Sequence, residues 1–326
     1  MPRVFKATGA DVLSEVLQTL RLRGQVFCVC ELSAPWSMSL PAGDLAHFHV
    51  LERGAAALRL QREQAPIPLE TGDLVIVPHG SGHVLSDGAT QRPVRLEELL
   101  ARRRLRDRVL RHGGDGPETH MICGAFHFEN GANNPIIALL PPVIRVRAGA
   151  GSAVDWLKPT LDLLANETRH AGQGSGALVT RLTEIIFVQS VRAWIADQPV
   201  GAGGWLGALR DRQIGAALAL MHQAPEHDWH VAELARKVGM SRSPFAARFT
   251  ALVGTPPLAY LNRWRLHVST TLLQTDELAV RAIAERVGYE SEAAFSKAFK
   301  RRFGASPGAY RRKVSHQTTQ ELVASG

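Results

Sequence analysis

Apolar residues in the first 147 positions come in short runs broken by Gly, Pro and Asp, at residues 25–32, 45–51, 55–60, 73–77 and 120–128. Runs of this length between turn residues predict the strands of a sandwich or small barrel. The arginine-dense segment 96–116 interrupts them; its first half reads as a short helix and the rest as a loop. From about Ala153 to Pro199 the apolar spacing becomes helical. Trp156, Leu157, Thr160, Leu161 and Leu164 share one stripe. After Gly172, Gly174 and Gly176, a second stripe runs through Leu178, Leu182, Ile185, Ile186, Gln189 and Trp194. Two such helices form a hairpin that either offers a dimerisation surface or packs on the barrel. Residues 199–207 (PVGAGGWLG) read as an interdomain linker. Beyond Asp211 nearly everything is helical. The expected organisation is therefore an α+β multidomain chain. It has a β-barrel over 1–147, a helical hairpin over 153–199, a linker over 200–210 and an all-α domain over 211–315.

Within that last segment one pattern occurs twice. Residues 231–238 (VAELARKV) form a support helix, Gly239 permits a turn, and Ser241 stands where a helix cap belongs. The helix that follows hides Phe245, Phe249 and Leu252 and exposes Arg242, Ser243, Ala246, Ala247 and Arg248. About fifty residues on, 279–287 (AVRAIAERV), Gly288 and Ser291 repeat the scheme. Phe295, Phe299 and Phe303 lie inside, with Glu292, Ser296, Lys297, Lys300 and Arg301 outside. Support helix, tight turn and exposed second helix are the parts of a helix-turn-helix. Between the copies Thr255 and Pro256 open a helix reaching about Gln274. Nineteen residues at ~1.5 Å give roughly 28 Å. Successive major-groove faces lie about 34 Å apart, so this helix suits two recognition helices on one side of a duplex.

Charge supports that partner. Residues 211–316 hold 16 Lys/Arg against 9 Asp/Glu, whereas residues 1–210 hold 22 against 20. A basic excess confined to the helical third points to a polyanion.

The second copy also carries a resemblance. Ile283-Ala284, Val287-Gly288-Tyr289, Ser291, Phe295-Ser296, Phe299-Lys300, Phe303-Gly304, Ser306-Pro307 and Tyr310-Arg311 resemble the DNA-binding domain of the AraC/XylS transcription regulators, over residues 211–313. The resemblance implies base contacts from Ser243, Ala246 and Ala247 in the first copy, and from Glu292, Ala293, Ser296 and Lys297 in the second. Alanines cannot hydrogen-bond base edges. Arg242, Arg248 and the second copy are therefore expected to dominate, with thymine-methyl or shape readout from the alanines. Lys300, Arg301, Arg311 and Arg312 are assigned to phosphates.

In the N-terminal region, residues 72–83 (GDLVIVPHGSGH) resemble the second cupin motif, and Gly43 with His47-Phe48-His49 resembles part of the first. Cupins are small β-barrels, and many bind a divalent metal through two histidines and a glutamate of the first motif and one histidine of the second. His47 and His49 share a strand face and, with His83, make a three-imidazole set for metal or effector. Glu52 is three residues past His49 and turns away on a regular strand. The alternative is histidines hydrogen-bonded without metal. Residues 30–36 (CELSAPW) and 122–124 resemble the cupin-type AraC regulators, some of which respond to oxidants through cysteine. Cys30 and Cys123 are the candidate redox pair; core filling is the alternative.

Three cysteines, an odd number, favour a reducing compartment. The start lacks a basic-then-apolar leader and no run of about 18 apolar residues occurs, so a cytoplasmic protein away from membranes is expected. The expected function is promoter-binding transcription regulation, modulated by a small molecule or oxidant. Double-stranded DNA, RNA polymerase and a second copy of the chain are the expected partners, and activation is the expected output. A metal-dependent cupin enzyme and a constitutive DNA binder are the alternatives.

Overall fold

Two-residue alternation of inward and outward side chains assembles the N-terminal runs into two sheets. The structure is a computed structural model. It describes residues 13, 14, 17, 22–61, 65–88, 91–102, 109–128, 137, 140–147, 156–170, 172–198, 204–275 and 278–312. Among these the strands are β1 (Leu22–Ser33), β2 (Ser37–Leu40), β3 (Ala46–Arg53), β4 (Ala55–Leu60), β5 (Ile67–Glu70) and β6 (Leu74–Val77). They continue with β7 (His83–Ser86), β8 (Val94–Arg95), β9 (Val109–Gly113), β10 (Glu118–Phe128) and β11 (Ile144–Val146). One sheet has the order β11-β6-β3-β10-β1-β9 and the other β5-β4-β7-β2-β8. Cys28, Cys30, Leu32, Met38, Leu58, Val75, Leu85 and Met121 meet in the core they share. Each of the five apolar runs forms a strand.

The loop expected after the short helix α1 (Leu96–Arg102) is in part a strand. Residues 103–108 lie outside the described residues, but β9 pairs in parallel with β1, Val29 opposite Val109. Arg111 reinforces the pairing by donating from Nε to Glu31 at 2.7 Å. Local composition could not reveal β9, because its partner strand lies some eighty residues upstream.

A bulge sets which way β1 faces. Val26 pairs with Gly124 but Cys28 pairs with Cys123, so Phe27 is an extra residue. An extra residue reverses the facing of all that follow. Even-numbered residues before it, such as Gly24, face the helices α2 (Leu157–Arg169) and α3 (Ser175–Asp197), and those after it face the barrel core.

Helix α3 is rotated from the expected stripe. It buries Val179, Leu182, Thr183, Ile186, Phe187, Ser190 and Val191, leaving Leu178 and Ile185 39% and 48% exposed. Phe187 decides the rotation: its ring packs edge-on to both Phe126 and Phe128, with centroids 5.3 Å away in each case. The small hydroxyl side chains let the helix approach closely and satisfy themselves. Thr183 donates to the Val179 carbonyl and Ser190 to that of Ile186. Apolarity alone favoured leucine and isoleucine positions over these.

The C-terminal unit comprises α4 (Trp205–Ala208), α5 (Arg212–Gln223), α6 (Val231–Lys237), α7 (Arg242–Val253), α8 (Pro257–Thr275), α9 (Val280–Arg286) and α10 (Glu292–Phe303). Helix α4 falls inside the expected linker, with Leu206 and Ala208 buried; residues 200–203 lie outside the described residues. Helix α8 starts at Pro257, one residue later than expected, and the Pro256 carbonyl accepts from the Tyr260 amide. Among the described residues no helix is long and apolar enough to cross a membrane.

A Cβ on Gly24 would collide with the Thr183 side chain. Gly24→Ala should therefore cost about 1–3 kcal/mol through overpacking, measured by urea unfolding. Adding Thr183→Ala should recover part of that loss; an unchanged midpoint in the single variant would contradict the packing described.

Candidate functional site

The two helix-turn-helix units share one local geometry. Gly239 and Gly288 adopt φ of 70° and 81°, which a side-chain-bearing residue rarely takes. The chain then folds back so that Met240 donates to the Ala235 carbonyl and Tyr289 to that of Ala284. Ala235 and Ala284 are buried in the support helices, and Phe245, Phe249, Phe295 and Phe299 anchor the second helices from below. Ser291 caps α10, accepting from the Ala294 amide. Ser241 occupies the matching position without a side-chain cap. The second turn is one residue longer: Tyr289-Glu290 stands where the first has Met240 alone.

Burial repeats along the two recognition helices. Arg242, Ser243, Ala247 and Arg248 are exposed on α7, as are Glu292, Ala293, Lys297, Lys300 and Arg301 on α10; Ala246 and Ser296 are half-buried. Two of the expected DNA-contacting arginines have protein partners. Arg248 donates from Nη2 and Nε to Asp211, at 2.6 and 3.1 Å. Asp211 in turn caps α5, accepting from the Gln213 and Ile214 amides. Burial pushes the Asp211 carboxyl up, but the Ile214 amide, Arg248 and the Gln213 amide outweigh it and hold the pKa below the ordinary value. Arg311 donates from Nη2 to the Leu278 carbonyl at 2.6 Å. Asp211, Arg212, Gln213, Ala216, Lys237, Val238, Gly239 and Arg248 line an open cleft of about 650 Å³. Asp211 as Arg248's partner was not foreseen; only its place ahead of α5 hinted at a cap.

In the barrel, one rung across three strands brings the candidate sensing residues together. Cys28 of β1 pairs with Cys123 of β10, and Cys123 pairs with His49 of β3. The Sγ atoms of Cys28 and Cys30 are 3.4 Å apart, those of Cys30 and Cys123 3.8 Å. Cys123 Sγ lies 3.2 Å from His49 Nδ1. His49 Nε2 reaches His83 Nε2, on the opposite sheet, at 2.9 Å. All three cysteines are reduced and fully buried. Cys28, a member of this cluster, lay outside the expected redox pair, although its sharing a strand face with Cys30 was legible.

Protonation follows from these contacts. Burial lowers the pKa of all three histidines, with further repulsion from His83 acting on His47 and His49; His47 falls to about 4. For His83 the Ser81 carbonyl opposes that push. A carbonyl only accepts, so His83 carries its proton on Nδ1, 2.9 Å from Ser81. Its Nε2 then accepts from His49, which leaves His49 Nδ1 bare toward Cys123. Hydrogen bonds from Cys123 and then Cys30 bring the Cys28 thiol down to about 5. Cys30 is raised by its bond to Cys123, and Cys123 by its bond to Cys28. Cys123 has one proton and two acceptors, the Cys28 sulfur and His49 Nδ1.

A cupin-type divalent metal does not fit this set. Among the described residues no three His, Cys, Asp or Glu side chains are grouped to hold a metal ion. His49 and His83 direct their Nε2 atoms at each other, and the buried His47 Nδ1 has no partner. Glu52 is the bulged residue of β3, between Leu51 opposite Met121 and Arg53 opposite His120. It faces outward and accepts from Arg169 at 2.8 Å.

The sequence profile of the cupin family matches residues 11–196, and that of a helix-turn-helix domain matches residues 234–313. An AraC-like transcription regulator of Streptomyces antibioticus is 33% identical over 304 residues, covering 93% of this chain and 98% of its own. The RCS-specific HTH-type transcriptional activator RclR of Escherichia coli is 31% identical, with 93% and 98% covered. Among solved structures, the DNA-binding domain of AdpA in complex with a target DNA is 33% identical over 32% of this chain and 96% of its own, with a TM-score of 0.31. Cupin barrel and paired helix-turn-helix units together define a class of DNA-binding regulators. This chain belongs to the AraC family of transcription regulators. It is a regulator and not an enzyme.

Acid should destabilise the cupin unit. The neutral form of His47 is favoured in the fold, with a pKa near 4 against the ordinary 6.5. Its stabilisation is complete above about pH 6.5 and is lost as pH falls toward 4, at roughly 1 kcal/mol per pH unit. Unfolding midpoints should fall from pH 7.5 to 5, less steeply in His47→Gln. A flat profile would sink this assignment.

Proposed function

We propose that this chain is a sequence-specific promoter regulator whose cupin unit senses an oxidant through Cys30 and Cys123, with Cys28 as the acidic third thiol. The observation carrying the proposal is the row of sulfurs at 3.4 and 3.8 Å spacing, continued by His49. Buried thiols admit a small uncharged oxidant such as a hydroperoxide. The Cys28 thiolate takes an oxygen from it to become a sulfenic acid, and the rest of the hydroperoxide leaves as alcohol or water with the Cys123 proton. Cys30 then displaces that oxygen as water, and the Cys123 thiolate exchanges onto Cys30, releasing Cys28 and closing the Cys30–Cys123 disulfide. The RCS-specific activity in the name of the E. coli relative agrees with this.

Closing the bond draws two sulfurs from 3.8 Å to about 2.05 Å, so β1 and β10 must shift. Phe126 and Phe128 lie on β10 with Cys123, against Phe187 of α3, and pass the shift to the helical hairpin. That is a two-state coupling. The functional division is 1–147 for sensing, 153–199 for the hairpin, 200–210 for the linker and 211–315 for DNA reading. Leu163, Leu178 and Ile185 on the hairpin, 42%, 39% and 48% exposed, support a homodimer through that face. RNA polymerase is the downstream partner, activation the output and the cytoplasm the setting. A small-molecule effector at His47, His49 and His83 is the reading that remains if oxidation has no effect.

On DNA, Arg242, Ser243, Ala246, Ala247, Glu292, Ala293, Ser296 and Lys297 face bases, and Lys300, Arg301 and Arg312 face phosphates. Arg248, bonded to Asp211, holds the first recognition helix, Arg311, bonded to Leu278, ties the segment after α10 to the start of α9, and both reach DNA only at the edge of the interface.

Lys297→Ala should lose roughly tenfold to a hundredfold in affinity and relax base preference at one position. Lys300→Ala should weaken all sequences alike and reduce the salt slope by about one. Gel-shift titrations on the chain's own upstream DNA check both; equal loss on specific and random duplexes for Lys297→Ala would remove it from base reading.

The sensing proposal is tested on the same DNA before and after mild peroxide treatment. Wild type should change affinity or footprint, whereas Cys30→Ser and Cys123→Ser should not respond. Identical behaviour of all three proteins under both conditions would end the oxidant proposal.

A further inference from the structure

Arg265 sits mid-way along α8, the helix joining the two helix-turn-helix units. Its Nε donates to the Pro225 carbonyl at 2.6 Å and its Nη2 to the His227 carbonyl at 2.9 Å. Both carbonyls belong to the loop between α5 and α6, in the first unit. The same guanidinium meets the second unit at the turn before α10. A Cβ on Gly288 would stand 2.8 Å from Arg265 Nη2 and 2.8 Å from the Glu226 carbonyl oxygen. Three segments distant in sequence therefore converge on one side chain, with glycine leaving just enough room. Each unit otherwise has its own core: Tyr260, Leu261 and Trp264 of α8 are buried toward the first, Leu266 and Leu273 toward the second.

A helix with a small core at each end fixes an approximate distance but only loosely the roll of one end against the other. Roll matters on DNA. One base pair changes the separation of half-elements by about 3.4 Å and their phase by about a tenth of a turn. A side chain that braces loop 225–227 against the turn at Gly288 restrains that roll.

We propose that Arg265 is a specificity-determining positioning residue. It locks the two helix-turn-helix units into one phase and so sets the number of base pairs allowed between the two half-elements of the operator. Arg265 touches no base in this role; it acts through the placement of α7 and α10. The proposal rests on both units engaging DNA at once.

The test uses the full-length chain and a duplex selected with it from a random pool, footprinted to locate the protected half-elements. One base pair is then inserted or deleted between them. Wild type should lose at least tenfold in affinity on either change. Arg265→Ala should bind the parent duplex a few-fold more weakly yet lose less than threefold on the altered spacings, with single-half-element affinity unchanged. Arg265→Lys should fall between. Gly288→Asn suits the positive φ better than other side chains and retains Arg265, while its Cβ displaces the guanidinium and the Glu226 carbonyl together. It should flatten the spacing dependence too, which covers the case of Arg265→Ala failing to fold. A tenfold spacing penalty persisting in folded Arg265→Ala or Gly288→Asn overturns the proposal, as does a wild type indifferent to spacing. A footprint with one protected element also overturns it, by removing the two-unit engagement; failure to select any duplex would instead refute DNA reading itself.

Discussion

Strand β10 is hydrogen-bonded on both edges, to β1 and to β3, so its register decides which side chains of three strands can meet. Sliding it by one residue would turn every side chain to the other face. In the register adopted, Met121 and Cys123 point into the barrel, and Phe126 and Phe128 point at α3. Thiol row and helix contact are thus two faces of one strand. Gly124 between them has no room for a side chain, since a Cβ would meet the Phe48 ring and the Gln25 carbonyl. A chemical change at Cys123 has little slack to absorb it locally, because packed interiors transmit displacement.

The barrel keeps three converging histidines but not the carboxylate beside them. Three imidazoles converge, yet Glu52, on the opposite face of β3 from His49, pairs with Arg169 on α2 instead. Thiols take its place beside His49. A carboxylate among buried imidazoles would favour a cation; thiols there favour proton sharing and oxidation. The Glu52–Arg169 ion pair also ties the end of β3 to α2, a second link between barrel and hairpin.

In the helical unit, arginine serves more as a brace than composition suggests. Arg248 holds the first recognition helix to the cap of α5, Arg311 reaches back to Leu278, and Arg265 reaches from α8 to the Pro225 carbonyl. Guanidinium suits the role because its donors form a fixed fork and it holds its charge when half-buried. Part of the basic excess is therefore tied to acceptors within the unit. Exposed basic residues occur on every longer helix of the unit, among them Arg236 and Lys237 on α6, Arg242 on α7, Arg263 on α8 and Arg281 on α9; on α10 Lys297, Lys300, Arg301 and Arg302 follow one another along the helix.

The sequence by itself determined the strand runs, the two helix-turn-helix units with their turn glycines, and the convergence of His47, His49 and His83, because each depends on periodicity or steric rules acting over a few residues. It also showed that Glu52 was misplaced for a metal. The tertiary structure decided the rest. β9 exists because β1 offers it an edge, and α3 turned its face because Phe187 found Phe126 and Phe128 while Thr183 fitted Gly24. The Phe27 bulge selected Cys28 as Cys123's partner. Arg248 and Arg311 found protein acceptors 37 and 33 residues away. In each case the deciding contact joins residues far apart in the chain, and local patterning carries no information about such contacts until the strands and helices are packed.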